Sequence, residues 1–425
     1  MDYLHNSMYN NKESEGRLMN IEERFLKYIS FDTQSDPQSS STPSSMKQLE
    51  LGKYLVEEMK KIGIENARLD QSGIVYGTIP ASCQDDGPVI GFVAHMDTSP
   101  DASGQNVKPQ IIRDYQGDTI VLNQDQDLYL DPHEFPELLN VIHHDLITTD
   151  GTTLLGADDK AGVAIIMSMA EYLYQHPEFK HNDIQIAFTP DEEVGRGTEN
   201  FDVKGFHADY AYTIDGGNIA EIEYENFNAF SAIVEVTGKS IHPGSAKNAM
   251  INSIHIAQEF DAMLPVHARP EYTEGYEGFN HLHDIHGNCE KTVMEYIIRN
   301  HDLSLAKKQC QDFENIAAFL NQKYGYQIVK VTIEQSYLNM REHIEQHMYI
   351  VDNAMSAMKA CGVEPYAVPI RGGTDGANLT YMGLPCPNLG TGGYNFHGPF
   401  EYVSLTMMKK QVEVLLKIIE RNEVM

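Results

Sequence analysis

The chain has 425 residues, too many for one ordinary domain and enough for two. Its 62 Asp and Glu against 31 Lys and Arg give a formal charge of -31, which disfavours a nucleic-acid partner or an anionic membrane surface because both would repel it. With 41% hydrophobic and 22% charged residues it has the balance of a folded globular protein, and its five scattered cysteines lack any Cys-x-x-Cys spacing, which fits a reducing, cytoplasmic compartment rather than a disulfide framework.

Residues 1–18 are polar and without period, so a disordered extension is expected there. No basic stretch leads into an apolar core, which argues against a secretory signal, and the apolar run from Gly162 to Ala170 is too short to cross a bilayer. Apolar spacing predicts helices over 21–29 and 46–62, separated by a loop rich in Ser, Pro and Thr. Strands are expected over 73–80, 87–97, 183–193 and 208–217, with a helix over 160–176 between the second and third. Short apolar runs alternating with helices indicate an α/β fold, a sheet flanked by helices. Between about 226 and 335 the texture changes. Strand-like runs at 230–238, 291–300 and 327–335 alternate with helices at 246–264 and 306–325, as expected for a smaller α/β sandwich inserted into the larger domain. The larger domain then comprises 19–225 and 336–425, resuming with a helix at 351–362 and ending with one from Leu405.

Chemistry-bearing residues gather at the expected strand ends. His95 and Asp97 close an apolar strand, where alternate side chains face the same way, so the carboxylate can accept from one ring nitrogen while the other binds a metal. Asp158 and Asp159 sit in a Gly-flanked turn before a helix, a position that also suits an ordinary acidic first turn. Asp191, Glu192 and Glu193 crowd one strand end and repel one another unless hydrated or offset by a cation. Asp215 ends another strand, and His397 lies in a Gly-rich loop. Ligands at the carboxyl ends of several strands are the usual arrangement of α/β active sites. Imidazole and carboxylate donors suit zinc or a similar divalent ion, and two ions would explain the surplus of carboxylates. Other histidines read as decoys. His343 and His347 are spaced i, i+4 but lack the His-Glu-x-x-His order, while His143–His144 and His281, His283 and His286 read as loop residues. Neither a phosphate-binding loop, a Gly-x-Ser-x-Gly elbow nor a dinucleotide fingerprint is present.

The segments AHMDTSPD, LLGADDKAG, TPDEEVGRG, TIDGG, IHPGSAKN, IRGGTDGANL and LPCPNLGTGGYNFHG follow one another in the order of a known family. From about Met19 onward the chain resembles the peptidase T family of tripeptide aminopeptidases, within the clan of dinuclear zinc aminoacylases and carboxypeptidases. The resemblance implies a zinc-exopeptidase-like catalytic domain with a mixed sheet flanked by helices, interrupted by a smaller lid and dimerisation domain. It implies two Zn2+ per subunit, one held by His95, Asp158 and Asp215 and the other by Glu193, His397 and the shared Asp158. Asp97 would orient His95, and Glu192 would be the general base. His242 would stabilise the oxyanion from the lid of a homodimer, and Arg371 would help to position a short peptide, a structural ion pair being its plainer alternative. Another amide hydrolase of the clan, or remotely a non-catalytic metal-binding dimer, are the competing expectations.

Overall fold

Asn20 starts the first helix, its side chain accepting from the Glu23 amide while Glu23 reaches back to the Asn20 N–H, a reciprocal cap for two otherwise orphaned donors. Residues 19–83 and 86–420 are described in this computed structural model, and the extension expected over 1–18 lies outside them. The chain divides into two compact units. One runs up to Ile222 and includes Tyr349–Tyr366 and the chain from Asn388 onward; the other comprises Glu223–Met348 and Ala367–Pro387. The inserted segment was expected over 226–335; the second unit is wider at its C-terminal side and includes the stretch that carries Arg371.

The first unit contains α1 (Ile21–Ile29), α2 (Gln48–Ile62), β1 (Arg68–Leu69), β2 (Val75–Ile79), β3 (Ile90–His95), β4 (Gln110–Ile112), β5 (Leu146–Thr148), α3 (Ala157–Gln175), β6 (Ile184–Thr189) and β7 (Tyr210–Gly216). It resumes with α4 (Tyr349–Ala360), β8 (Asn388–Gly390), β9 (Gly393–Tyr394), β10 (Tyr402–Ser404) and α5 (Leu405–Ile419). Its main sheet runs β1-β2-β6-β3-β7-β8 and is mixed: β3 is parallel to β6 and β7, β7 to β8, whereas β2 is antiparallel to β6. Every residue of β3 is buried, which explains its unbroken apolar run rather than an alternating one. Register aligns the strand ends. His95 lies opposite Thr189 on β6 and Val93 opposite Thr213 on β7, so the three strands finish side by side. Helix α3 packs on β3 and β7, with α1 and α5 against it, and is apolar almost all round because it is enclosed. A second, antiparallel sheet runs β9-β10-β5-β4; its short strands left no periodic signal in the sequence.

The second unit is a four-stranded antiparallel sheet in the order Phe279–Gly287, Lys291–Asn300, Asn228–Thr237, Val329–Tyr337, with helices Ser253–Met263 and Leu303–Tyr324 packed on it. Val234, Phe260, Met294, Tyr296, Ile298, Phe313 and Leu320 fill its core, where truncating Phe313 to Ala would cost about 3–5 kcal/mol. Two expectations are corrected here. The helix expected over 246–264 begins only at Ser253, because Lys239 and Ile251 are bridged and the Asn252 side chain then caps the helix through the Ile254 amide. The histidines at 281, 283 and 286 lie on an edge strand, not in a loop; its exposed polar residues hid its period.

Candidate active site

The strand ends bring one group of side chains together. The His95 Nε2 lies 2.8 Å from Asp158 Oδ1, 3.4 Å from Asp215 Oδ1 and 4.0 Å from Glu192 Oε2. On the other side His397 Nε2 is 3.2 Å from Asp158 Oδ2 and 2.9 Å from Glu193 Oε2. The two oxygens of Asp158 thus serve different histidines. Two sets of three potential ligand atoms, one from His95, Glu192 and Asp215 and one from His95, Asp158 and Glu193, each lie within 4.8 Å of one another. Of the nine residues expected from sequence, His95, Asp97, Asp158, Glu192, Glu193, Asp215 and His397 converge in the first unit.

Asp97, fully buried, organises two of these elements. Its carboxylate accepts from the Glu192 amide at 3.0 Å and the Glu193 amide at 3.2 Å, and Oδ1 is 3.3 Å from His95 Nδ1. The imidazole is thereby aimed with Nε2 toward the other carboxylates. Asp191, the first of the three adjacent acids, turns the opposite way. It is buried in a left-handed conformation (φ 59°) and accepts from the Ser44 amide and the Gln48 side chain, both at 2.6 Å, so it anchors the turn instead of joining the cluster. Gly162 sets the approach of α3 to β7: a Cβ there would lie 1.9 Å from the Ile214 carbonyl oxygen, one residue before Asp215. Glu401 is a buried residue the sequence motifs did not single out. It accepts from the amides of Leu155 (2.7 Å), Gly156 (2.9 Å) and Asp158 (3.1 Å).

The charges are unbalanced without a cation. Burial pushes the Glu193 carboxyl up, and the neighbouring Asp158 charge adds to this, to about 7. Burial acts the same way on Asp158, but hydrogen bonds from His397 and His95 outweigh it and hold that carboxyl well below the usual range. Hydrogen bonds to Asp158 and Glu193 push His397 up to about 11. Glu193 Oε1 is buried with no hydrogen-bond donor among the described residues, although Oε2 meets His397. An acceptor left open beside two more carboxylates and two imidazoles suits a divalent cation, so this donor set fits a metal.

His242 and Arg371 belong to the second unit. His242 is exposed, and its Nδ1 accepts from the Gly244 amide. The Arg371 terminal nitrogens donate to the carbonyls of Gly275 and Glu277 and to Thr273 Oγ1 and its carbonyl, and the guanidinium lies 5.1 Å from the Phe227 ring centroid. No ion pair to Arg371 is present among the described residues, so the ion-pair alternative gives way to a loop anchor. His343 stacks edge-on to Tyr381, as a surface histidine. A further group, Asp284, His286 and Glu295, lies on the exposed part of the second unit's four-stranded sheet.

A mixed set of imidazoles and carboxylates at the strand ends suits a metal-dependent hydrolase, and the similarities to known proteins give its class as a metallo-exopeptidase. Residues 149–421 match the model of peptidase family M20/M25/M40, and the chain belongs to that family. It is 56% identical over 400 residues to a peptidase T of Clostridium perfringens, covering 94% of this chain and 98% of that one. A peptidase T of Alkaliphilus oremlandii is 54% identical over 405 residues, covering 95% and 99%. Among solved structures, an aminopeptidase PepT from Bacillus cereus superposes with a TM-score of 0.74 at 22% identity, covering 94% of this chain and 97% of that one. A dinuclear metal-binding M20 peptidase of Bacillus subtilis superposes at 0.60 with 15% identity, over 94% and 97%; at these identities both likenesses concern the fold. No helix among the described residues is long and apolar enough to cross a membrane.

Proposed function

We propose that this peptidase removes the N-terminal residue of tripeptides, using two zinc ions per subunit. The observation that carries this reading is the split of Asp158 between His95 and His397, which offers one bridging carboxylate to two adjacent ligand sets. His95, Asp158 and Asp215 would hold one ion, and Glu193, His397 and Asp158 the other. Bound there, the pair would polarise the scissile carbonyl and acidify a shared water. Glu192 would accept a proton from the attacking water as its oxygen bonds to the carbonyl carbon, and return that proton to the amine as the C–N bond breaks. Asp97 keeps the His95 Nδ1 occupied, so that Nε2 stays available as a donor atom. In the same reading His242 stabilises the developing oxyanion and Arg371 helps to position the peptide, the second unit serving as lid and homodimer interface.

The tripeptide preference rests on the two peptidase T relatives at 54–56% identity. A cytoplasmic location is supported by the five cysteines, all unpaired. The acidic surplus supports a peptide substrate without a nucleic-acid or membrane partner. Chelation should abolish hydrolysis of an unblocked tripeptide, and zinc should restore it. Glu192→Gln should keep metal binding while lowering turnover by about 10²–10⁴-fold. Undiminished turnover in that variant would remove Glu192 from the role.

A further inference from the structure

We propose that Glu401 is a positioning residue that ties the Asp158 turn to the His397 loop and thereby sets the affinity of the site for its metals. Asp158 and His397 lie 239 positions apart in the chain, yet both must meet the same ion in the reading above, on which this inference rests. His397 itself sits in a left-handed conformation (φ 68°) within a loop, and Asp158 follows Gly156, also left-handed (φ 83°). Asp158 lies in the first turn of α3 but with non-helical backbone angles (φ −85°, ψ 103°), and His397 lies in the connection between the paired strands β9 and β10, so regular pairing flanks both residues without fixing either.

The Glu401 side chain supplies the missing link. It lies four residues beyond His397 and immediately before β10, whose Tyr402 pairs with Thr148 on β5, so its backbone is fixed by the second sheet. Its own amide donates to the Gly398 carbonyl, which closes the turn after His397. From that anchor the buried carboxylate spans to the other segment. Oε2 accepts from the Leu155 and Gly156 amides and Oε1 from the amide of Asp158 itself. Successive amides converging on one anion make a backbone nest, and here the anion is a side chain of the neighbouring ligand loop. The carboxylate is thus committed to three backbone donors and is not a further ligand. Partners that orient a ligand from behind typically change metal affinity by about 10- to 100-fold when removed.

Glu401→Gln isolates the effect. With its oxygen on the Leu155 and Gly156 amides, the new NH2 faces the Asp158 N–H, two donors opposed, while the side-chain volume is kept. The metals would be removed from the full chain and zinc titrated back in competition with a chromophoric chelator, alongside near-UV circular dichroism to establish the fold. The unaltered chain should take up two equivalents, and the variant, folded, should bind them about 10- to 100-fold more weakly. A folded Gln variant with unchanged zinc affinity would overturn the proposal, because a purely structural staple would lower thermal stability without moving zinc affinity. An unaltered chain that takes up fewer than two equivalents would overturn the dinuclear reading and this inference with it. Should the Gln variant not fold, hydrogen exchange in the unaltered, metal-stripped chain decides. The amides of Leu155, Gly156 and Asp158 must be protected before zinc is added, and exchange as fast as in an open loop would overturn the proposal.

Discussion

Replacing Asp97 by Asn exchanges one carboxylate oxygen for an NH2 and should cost both stability and metal affinity, in amounts the geometry fixes. The carboxylate is fully buried and accepts from the amides of Glu192 and Glu193 at 3.0 and 3.2 Å, while His95 Nδ1 meets the Asp97 main-chain carbonyl at 3.1 Å and lies 3.3 Å from Oδ1. An asparagine keeps one acceptor oxygen. Its NH2 must then oppose one of the two amide donors, so one charge-assisted hydrogen bond is lost, worth about 1.5–3 kcal/mol. If the oxygen stays on Glu192, the Glu193 turn loosens and one ligand shifts; if it stays on Glu193, the proposed base loses its anchor. Weaker polarisation of His95 adds a loss of about 10- to 100-fold in metal affinity. Thermal unfolding of the metal-stripped chain reads the first effect, and a chelator competition reads the second. Saturating zinc should restore occupancy but not the full kcat, because the base turn stays displaced. A variant with unaltered zinc affinity and kcat would refute the assignment of Asp97 as the organiser of this corner.

Gly162→Ala places a Cβ 1.9 Å from the Ile214 carbonyl oxygen and cannot be relieved by a side-chain rotation, since the clash is with backbone. Overpacking of this kind costs about 1–3 kcal/mol, more than the helix-propensity gain, and should lower both Tm and activity because Asp215 is the next residue along β7. Zinc loading should release protons. In the chain alone His397 titrates near 11, raised from 6.5, so the stability of its contacts is fully present below pH 6.5 and is lost only as pH rises through 11. At pH 8 the imidazole therefore still carries a proton that a cation must displace. Calorimetric titrations in buffers of different ionisation enthalpy should register that proton, and buffer-independent heats would contradict it.

The half of the site built on strands was legible in the sequence because a parallel register aligns strand ends. Once 90–95, 184–189 and 210–216 are taken as strands, His95, Glu192–Glu193 and Asp215 must fall along one edge. Residue pattern alone did not distinguish the members of the acidic run at 191–193, and only the family resemblance singled out Glu192 and Glu193. Asp191 leaves the cluster because Ser44, 147 positions away, and Gln48 hold it in a left-handed turn, and no local pattern announces so distant a partner. Glu401 was invisible for the same reason: it follows His397 in a Gly- and Pro-containing loop, and only the fold brings Leu155 and Asp158 to it. Arg371 read as a substrate contact from its motif, and only the fold adds that its terminal nitrogens hold the 273–277 loop. In the second unit the edge strand at 279–287 escaped notice because most of its side chains are exposed, which erases the apolar alternation on which a strand reading depends.

The most direct test of tripeptide aminopeptidase activity is to offer zinc-loaded protein one unblocked tripeptide beside its dipeptide and its N-acetylated form, and to identify the products. Cleavage of the free tripeptide alone is expected, with release of its N-terminal residue. Preferred hydrolysis of the acetylated peptide or the dipeptide would contradict it and move the enzyme to another activity of the same metal-dependent clan.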